Sequence, residues 1–349
     1  MREQAQPRIL LTRTSHIGDC VLTLPMLVAL RDHFPNALIV WAVECPSDQF
    51  LRHHEAIDHV IPLHRGWLRR PSDVWKLRQE LLGFDFNMSI DSQSRTRSST
   101  IAWLARAPRR LGWKYPAGKD FALVFNNERY ESKQRHLVDR QLDLLRPLGI
   151  ADQPVRFDFP VREQAIQSID QFLGQRTDRR EFVAMNPGAG WFSRRWPAQR
   201  YGKVARFLRD RYQLTSLVTW AGADERELAL SAIRAADGAA IIAPATSLNE
   251  LAALLRRAKF YFGSDTGPMH VANAVGTPCV GLFGPTRPEF SGAYGPLNEH
   301  VQAFYQGGGG MVRRRAGNQS MLSIRTHSAC DACDRMMTKL VDHPQNQVA

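Results

Sequence analysis

Short apolar runs alternate with amphipathic segments along most of this 349-residue chain, and this alternation narrows the folds open to it. Apolar runs that predict buried strands cover 8–13, 38–43, 59–63, 86–91, 181–186, 214–220, 240–242, 259–262 and 278–283. Helical patterns fall between them, over 19–34, 73–82, 96–105, 136–148, 197–211, 225–235, 248–256 and 271–275. Such alternation predicts an α/β protein whose parallel sheets are covered by helices on both faces.

The pattern runs twice, once on either side of a polar region. The length suits two domains of about 150 residues each. The polar segment 149–154 and the mixed charges through Arg180 predict the junction, so we expect domains at 1–170 and 171–349 with a cleft between them. Pro25 either kinks the first helix or marks a later start capped by Thr23.

Composition and apolar patterning indicate the cellular compartment of the protein. No apolar run approaches the roughly 18 residues that a membrane span needs, and the polar N-terminus shows no secretory signal. The five cysteines are odd in number, which favours free thiols in a reducing cytosol. Cys330-x-x-Cys333 has no second ligand pair, so we expect no metal site there.

The net charge of +12 is concentrated in one segment. Residues 95–146 contain twelve Lys and Arg against five Asp and Glu, which favours an anionic partner such as a membrane face or a phosphosugar. No nucleic-acid-binding module is recognisable, so we expect no nucleic acid partner. A solvated basic surface is the alternative.

The glycines at 307–310, followed by three arginines at 313–315, predict a mobile basic loop without the lysine of a Walker motif.

The segment 263–270, Gly-Ser-Asp-Thr-Gly-Pro-Met-His, joins a predicted strand to a predicted helix. Parallel sheets bind anions where such a loop meets a helix start, because the first amide N–H groups have no partner within the helix. Asp265 could instead simply cap the helix.

Three further loops follow predicted strands and carry similar chemistry. Asp19 lies near a helix start after the first strand, where it could take a proton from a hydroxyl group or cap the helix. Arg194 and Arg195 follow a glycine turn and could bind a diphosphate. Asp224 and Glu225 could hold ribose hydroxyls, or only favour the start of their own helix.

Together these motifs closely resemble those of glycosyltransferase family 9, the lipopolysaccharide heptosyltransferases, over nearly the whole chain. The matching segments are Ser15-x-x-Gly18-Asp19, Asp91-x-Gln93 with Arg97-Ser98, Pro187-Gly188-Ala189 with Arg194-Arg195-Trp196-Pro197, 265–270, and 283–286. Ser94 stands where the family pattern has glycine, Arg194 where it has lysine, and His16 where it has an apolar residue.

The resemblance implies a GT-B fold, with two Rossmann-like domains that face a central cleft. It also implies an inverting, metal-independent transfer of a heptose-like sugar from an ADP-sugar, with no cofactor, to a lipid A or inner-core lipopolysaccharide acceptor. The absence of an Asp-x-Asp pair from these loops agrees with this.

Asp19 would be the general base, and Asp91, Gln93 and Arg97 would bind the acceptor. The donor would contact Ser15, Gly18, Arg194, Asp224, Glu225, Asp265, Thr266, Gly267 and His270. Such an enzyme would be cytoplasmic and peripheral on the inner membrane. A nucleotide-sugar epimerase on the same fold and a non-catalytic phosphosugar-binding module are the alternatives.

Overall fold

The computed structural model describes residues 6–175 and 181–342. The chain divides between Pro160 and Val161 into two compact units. The strands of the first unit are β1 (Arg8–Thr12), β2 (Leu38–Glu44), β3 (His59–Leu63), β4 (Met88–Asp91), β5 (Arg109–Trp113) and β6 (Glu128–Tyr130). Its helices are α1 (Ile17–Val21), α2 (Leu24–His33), α3 (Asp48–Leu51), α4 (Pro71–Gly83), α5 (Thr96–Leu104), α6 (Ala122–Phe125) and α7 (Leu137–Asp143).

The second unit repeats this plan. Its strands are β7 (Phe182–Asn186), β8 (Thr215–Val218), β9 (Ala240–Ile242), β10 (Tyr261–Ser264), β11 (Cys279–Phe283) and β12 (Glu299–Gln302). Its helices are α8 (Glu163–Gly174), α9 (Ala198–Tyr212), α10 (Gly222–Ala236), α11 (Leu248–Arg256), α12 (Gly267–Ala274), α13 (Pro288–Ser291), α14 (Gly310–Arg315), α15 (Gln319–Leu322) and α16 (Thr326–Asp342).

Each sheet has six strands, paired in parallel throughout. The spatial orders are β3-β2-β1-β4-β5-β6 and β9-β8-β7-β10-β11-β12. Both follow the Rossmann order, in which the direction of winding reverses between the first and fourth strands. Ligands of such sheets bind outside the carboxyl ends of the strands at this reversal. Thr12 pairs with Asp91 and Asn186 with Gly263, so the loops after each of these strand pairs emerge side by side.

The central strands are buried on both faces, which explains their continuous apolar runs. In β1, Ile9, Leu10 and Leu11 are fully buried. In the second unit the rings of Trp196, Tyr201 and Phe262 pack edge to face against one another. All five cysteines are free thiols, as predicted.

The predicted helix 19–34 is two helices. α1 ends at Val21 and α2 begins at Leu24, with Pro25 in its first turn. Thr23 occupies the cap position, as the second alternative proposed, but its hydroxyl donates to the carbonyl of Asp19 at 2.9 Å instead of accepting from a helix amide. The predicted helix 136–148 also divides: α7 ends at Asp143, and a separate 3₁₀ turn covers Arg146–Leu148.

The boundary at 160 replaces the one expected at 170 because α8 packs against α11. Arg257 forms an ion pair with Asp170 at 2.8 Å, and the Ser168 hydroxyl donates to Glu250 at 3.0 Å. These contacts join α8 to the second unit, which begins at Val161.

The structure of residues 307–315 also differs from the prediction of a mobile basic loop. Gly310–Arg315 forms α14, which contains all three arginines. Within the described ranges, no helix is both long and apolar enough to cross a bilayer.

Candidate active site

In the first unit Asp19 lies in the first turn of α1, just after β1. Its carboxylate is 3.4 Å from Nη2 of Arg13 and its side chain remains 38% exposed. Arg13 itself is buried, and its Nη1 donates to the carbonyl of Ser92 at 3.2 Å. The cap residue of α1 is His16, whose side chain makes no cap hydrogen bond. Asp19 is therefore oriented by a fixed guanidinium and is not the helix cap.

Two other predicted residues lie in the same loop. Gly18 is buried, and the Ser15 hydroxyl is a buried oxygen without a hydrogen-bond partner among the described residues. A buried polar atom of this kind, in the same loop as Asp19, is available to a ligand.

Asp91, at the end of β4, points into the protein. Its carboxylate accepts hydrogen bonds from the Ser94 amide at 2.7 Å and from Nδ2 of Asn126 at 3.0 Å. Burial raises the pKa of Asp91 above its ordinary value, although these hydrogen bonds oppose the shift. The side chain therefore organises the loop after β4.

Gln93 joins this loop to the one after β1. Its Oε1 accepts from both the amide and the hydroxyl of Thr14, at 2.9 and 3.1 Å. Ser94 has φ +48°, a left-handed conformation that favours glycine, which is the residue in the family pattern at this position. Of the predicted acceptor residues, Arg97 is the half-exposed one, with a 2.7 Å ion pair to Glu44.

In the second unit three predicted residues meet after β10. Nη1 of Arg194 donates to the main-chain oxygen of Asp265 at 2.7 Å, and Nη2 lies 3.5 Å from its carboxylate. Nε2 of His270 is 3.2 Å from the other carboxylate oxygen. Burial alone would raise the pKa of Asp265, but Arg194 and His270 outweigh it and lower the pKa to about 2. Asp265 therefore fixes two donors and does not cap α12.

The cap residue of α12 is Thr266, whose side chain makes no cap hydrogen bond. Its hydroxyl donates instead to the carbonyl of Ser264 at 3.2 Å, and Gly267 is the first residue of the helix. The helix starts four residues before the predicted 271, so Thr266, Gly267 and His270 share its first turn. The helix α12 is eight residues long, and no side chain caps its first amide groups. Because Arg194 lies next to this helix start, the position favours the binding of an anion.

Glu225 approaches the glycine turn after β7. A Cβ atom on Gly188 would lie 2.3 Å from Cδ of Glu225, so only glycine allows this contact. Burial raises the pKa of Glu225, and its Oε2 accepts from the amide of Ala221, the cap residue of α10, at 3.0 Å. Glu225 thus supports its own helix start as well as lining the loop, whereas Asp224 is exposed.

Trp191 is a residue that the sequence did not single out. The guanidinium carbon of Arg194 lies 4.1 Å from the centre of its indole ring. Residues 192–194 form a 3₁₀ turn, in which positions three apart overlap. The spacing of Trp191 and Arg194 was the available signal, but the turn type was needed to interpret it.

Comparison with known proteins decides the family. The model of glycosyltransferase family 9 (heptosyltransferase) matches residues 74–314. This chain belongs to glycosyltransferase family 9. Lipopolysaccharide heptosyltransferase 1 of Pseudomonas aeruginosa is 29% identical over 315 residues, which cover 84% of this chain and 83% of that protein.

Solved structures show the same fold. The family 9 glycosyltransferase of Veillonella parvula superposes with a TM-score of 0.83 at 23% identity, covering 95% of this chain and 98% of that one. The Escherichia coli heptosyltransferase WaaC with ADP gives a TM-score of 0.72 at 23% identity, covering 95% and 98%. The predictions of a family 9 glycosyltransferase and of two Rossmann-like GT-B domains are confirmed.

Proposed function

We propose that this family 9 enzyme transfers a heptose from ADP-heptose to an inner-core lipopolysaccharide acceptor, with inversion and without a metal ion or other cofactor. The observation that carries the proposal is the cluster of Arg194, Asp265 and His270 at the start of α12. The name of the P. aeruginosa relative supports the sugar and the acceptor class. The ADP in the WaaC structure supports the nucleotide.

The second unit would hold the donor diphosphate. Arg194, Thr266 and Gly267 supply a guanidinium and helix-start amides, and His270 has a buried Nδ1 without a hydrogen-bond partner among the described residues. As the sugar–phosphate bond breaks, negative charge grows on the departing ADP. Donors already fixed in place stabilise that charge without reorganisation, which lets the chain do the work of a metal ion. Glu225 and Asp224 would hold the ribose.

Asp19 would be the general base. It takes the proton of the acceptor hydroxyl while the oxygen attacks the anomeric carbon from the face opposite the diphosphate, and a single displacement of this kind inverts the configuration. Arg13 orients the carboxylate, and Ser15 and Gly18, in the same loop and helix start, would contact the donor.

On the acceptor side, Arg97 would bind phosphate or carboxylate groups of the saccharide, and its half-exposed guanidinium supports this role. Gln93 and Asp91 would act indirectly, because their side chains hold the loops after β1 and β4.

An anionic membrane face at the inner membrane is the proposed second partner, on the cytoplasmic side. The rings of Trp103, Phe125 and Phe121 stack in a row at 5.2 and 5.7 Å, and Trp103 and Phe121 are more than half exposed. Lys114 and Lys119 lie exposed in the adjoining segment. Exposed aromatic rings beside cations suit a lipid headgroup layer.

One assay tests the whole proposal. Purified protein is incubated with a panel of ADP-, UDP- and GDP-sugars, with and without a lipid A–Kdo acceptor, in EDTA. We expect turnover only with ADP-heptose and acceptor together, and NMR of the product should show the inverted anomer. Sugar isomerisation without acceptor would instead establish the epimerase, and binding without turnover the non-catalytic module. A requirement for added metal, or retention of configuration, would contradict the mechanism.

A further inference from the structure

The indole ring of Trp191 lies between two segments that are far apart in sequence. The Arg194 guanidinium carbon is 4.1 Å from the ring centre, and that of Arg314 is 5.9 Å away. A cation within about 6 Å of an indole centre is attracted to the ring. One aromatic side chain therefore contacts two guanidiniums, and the nearer one, Arg194, is hydrogen-bonded to Asp265 just before α12.

Arg314 reaches this place on a strap, which we define as residues 307–323. The strap lies across the loop that contains Arg194. It is hydrogen-bonded to that loop and to the loop after β11. Nη1 of Arg313 donates to the carbonyl of Pro285 at 2.7 Å, and Nδ2 of Asn318 donates to the carbonyl of Arg195 at 3.0 Å. These bonds fix α14 next to Trp191.

The strap begins with four consecutive glycines. Gly308 has φ +113°, which other residues rarely adopt, and a Cβ atom on Gly309 or Gly310 would meet nothing within 4 Å. The backbone leading into α14 can therefore follow the path that these hydrogen bonds require at little steric cost.

The arginines of these two segments differ in how many protein groups they bind. Arg194 is bonded to Asp265, Arg195 donates to the carbonyl of Ala189 at 3.1 Å, and Arg313 is bonded to Pro285. Arg314 is exposed and makes no ion pair or hydrogen bond with the described residues; its contact is with the indole ring. Since Asp265 already neutralises much of the Arg194 charge, a further cation would strengthen the binding of a ligand with two or more negative charges.

We propose that Arg314 is a second guanidinium for the diphosphate of the donor, delivered by the strap and held beside Arg194 by Trp191. The inference rests on the proposed function, because it takes the ligand to be a nucleoside diphosphate sugar. Two guanidiniums can each bind phosphate oxygens through paired N–H groups. Trp191 is then a positioning residue for both.

The test compares two neighbouring arginines of α14. Arg314→Gln keeps most of the side-chain length and removes the charge, and Arg315→Gln is the matched control, because Arg315 is also exposed and lies on the same short helix. Titration calorimetry measures the affinity of each protein for ADP at low and at high salt. We expect Arg314→Gln to bind ADP about tenfold more weakly than wild type at low salt. The difference should shrink at high salt, where the charge is screened.

The kinetic counterpart is a raised KM for the donor in Arg314→Gln, with the acceptor KM unchanged. Equal ADP affinities for Arg314→Gln and Arg315→Gln would overturn the role of Arg314 and leave the proposed function intact. A wild-type protein that binds neither ADP nor ADP-heptose would overturn both.

Discussion

Arg194 contacts Asp265 at two points, through its main-chain oxygen at 2.7 Å and through its carboxylate at 3.5 Å. The pair connects the loop after β7 to the loop after β10. It brings a guanidinium to the start of α12 while Asp265 holds His270 on the other side. Each of the predictions for the second unit follows from this arrangement.

Arg194→Ala should weaken the binding of both ADP and ADP-heptose. Loss of one charged hydrogen bond costs about 1.5–3 kcal/mol, so the ADP affinity should fall roughly 10- to 150-fold. Arg195→Ala is the control and should have a smaller effect, because Arg195 donates to a main-chain carbonyl of its own loop. Calorimetry that gives the same ADP affinity for wild type and Arg194→Ala would exclude the contact.

The lowered pKa of Asp265 predicts a specific pH dependence of stability. A carboxyl whose folded-state pKa is about 2, against an ordinary value of 3.8, adds stability that is fully present above about pH 4. That contribution, about 2 kcal/mol, is lost as the pH falls towards 2. Asp265→Asn should therefore be less stable than wild type at pH 7, with the gap narrowing below pH 4. Urea unfolding at several pH values measures the gap, and a gap of constant size would contradict the assignment.

Asp19→Asn should abolish transfer while the donor affinity barely changes, because only the proton acceptor is removed. General-base loss costs about 10²–10⁴ in rate. Asp152→Asn is the matched control, since that aspartate is 91% exposed and remote in sequence from the β1 loop. Turnover near the wild-type rate in Asp19→Asn would remove the role assigned to this residue.

Substitutions of Asp91 and Arg97 should have different effects, the first on stability and the second on acceptor binding. Asp91→Ala leaves the Ser94 amide and the Asn126 side chain without their partner and should cost about 1–3 kcal/mol of stability for each. Arg97→Ala should mainly raise the acceptor KM. Thermal unfolding together with acceptor kinetics distinguishes the two. A stable Asp91→Ala with a raised acceptor KM would show that Asp91 contacts the acceptor directly.

Membrane binding should depend on the exposed cations near the aromatic row. Reversal of Arg109 or Arg110 would disturb the fold, because these residues bond to Glu128 and to the carbonyl of Phe125. The informative variant changes Arg106, Lys114 and Lys119 to Glu. Each cation near an anionic lipid surface contributes about 1 kcal/mol, so co-sedimentation with anionic vesicles should be strongly reduced.

Wild-type co-sedimentation should fall with rising salt, since screening acts within about 10 Å at 0.1 M. A second variant with Arg65, Arg69 and Lys76 changed to Glu has the same net charge and should bind like wild type. Equal losses in the two variants, or binding that ignores salt, would count against a membrane-facing surface here.

The sequence was a good guide to the central strands and to the loops that follow them. These strands are buried on both faces, so their apolar runs are continuous and easy to recognise. The sequence analysis missed β5, β6 and β12, which contain charged residues such as Arg109, Glu128 and Glu299. β6 and β12 lie at sheet edges, where a strand needs less apolar surface, and β5 begins with two arginines, so these three sequences resemble loops.

The capping alternatives could not be decided from the sequence. A carboxylate near a helix start has the same local pattern whether it caps the helix or holds a distant side chain. Asp265 is 71 residues from Arg194, and only the pairing of β7 with β10 brings the two together. Glu225 shows the mixed case, since it both accepts from Ala221 and fills the space above Gly188.

The sequence by itself determined the two α/β units, the loops that carry the chemistry and the family, because these depend on local apolar periodicity and on short motifs in a fixed order. Only the tertiary structure decided which of the polar residues in those loops face one another. It turned Asp91 inward, placed Asp19 beside Arg13, and carried Arg314 from the far end of the chain to Trp191. Contacts between residues so far apart depend on strand order and helix packing, which local pattern does not encode.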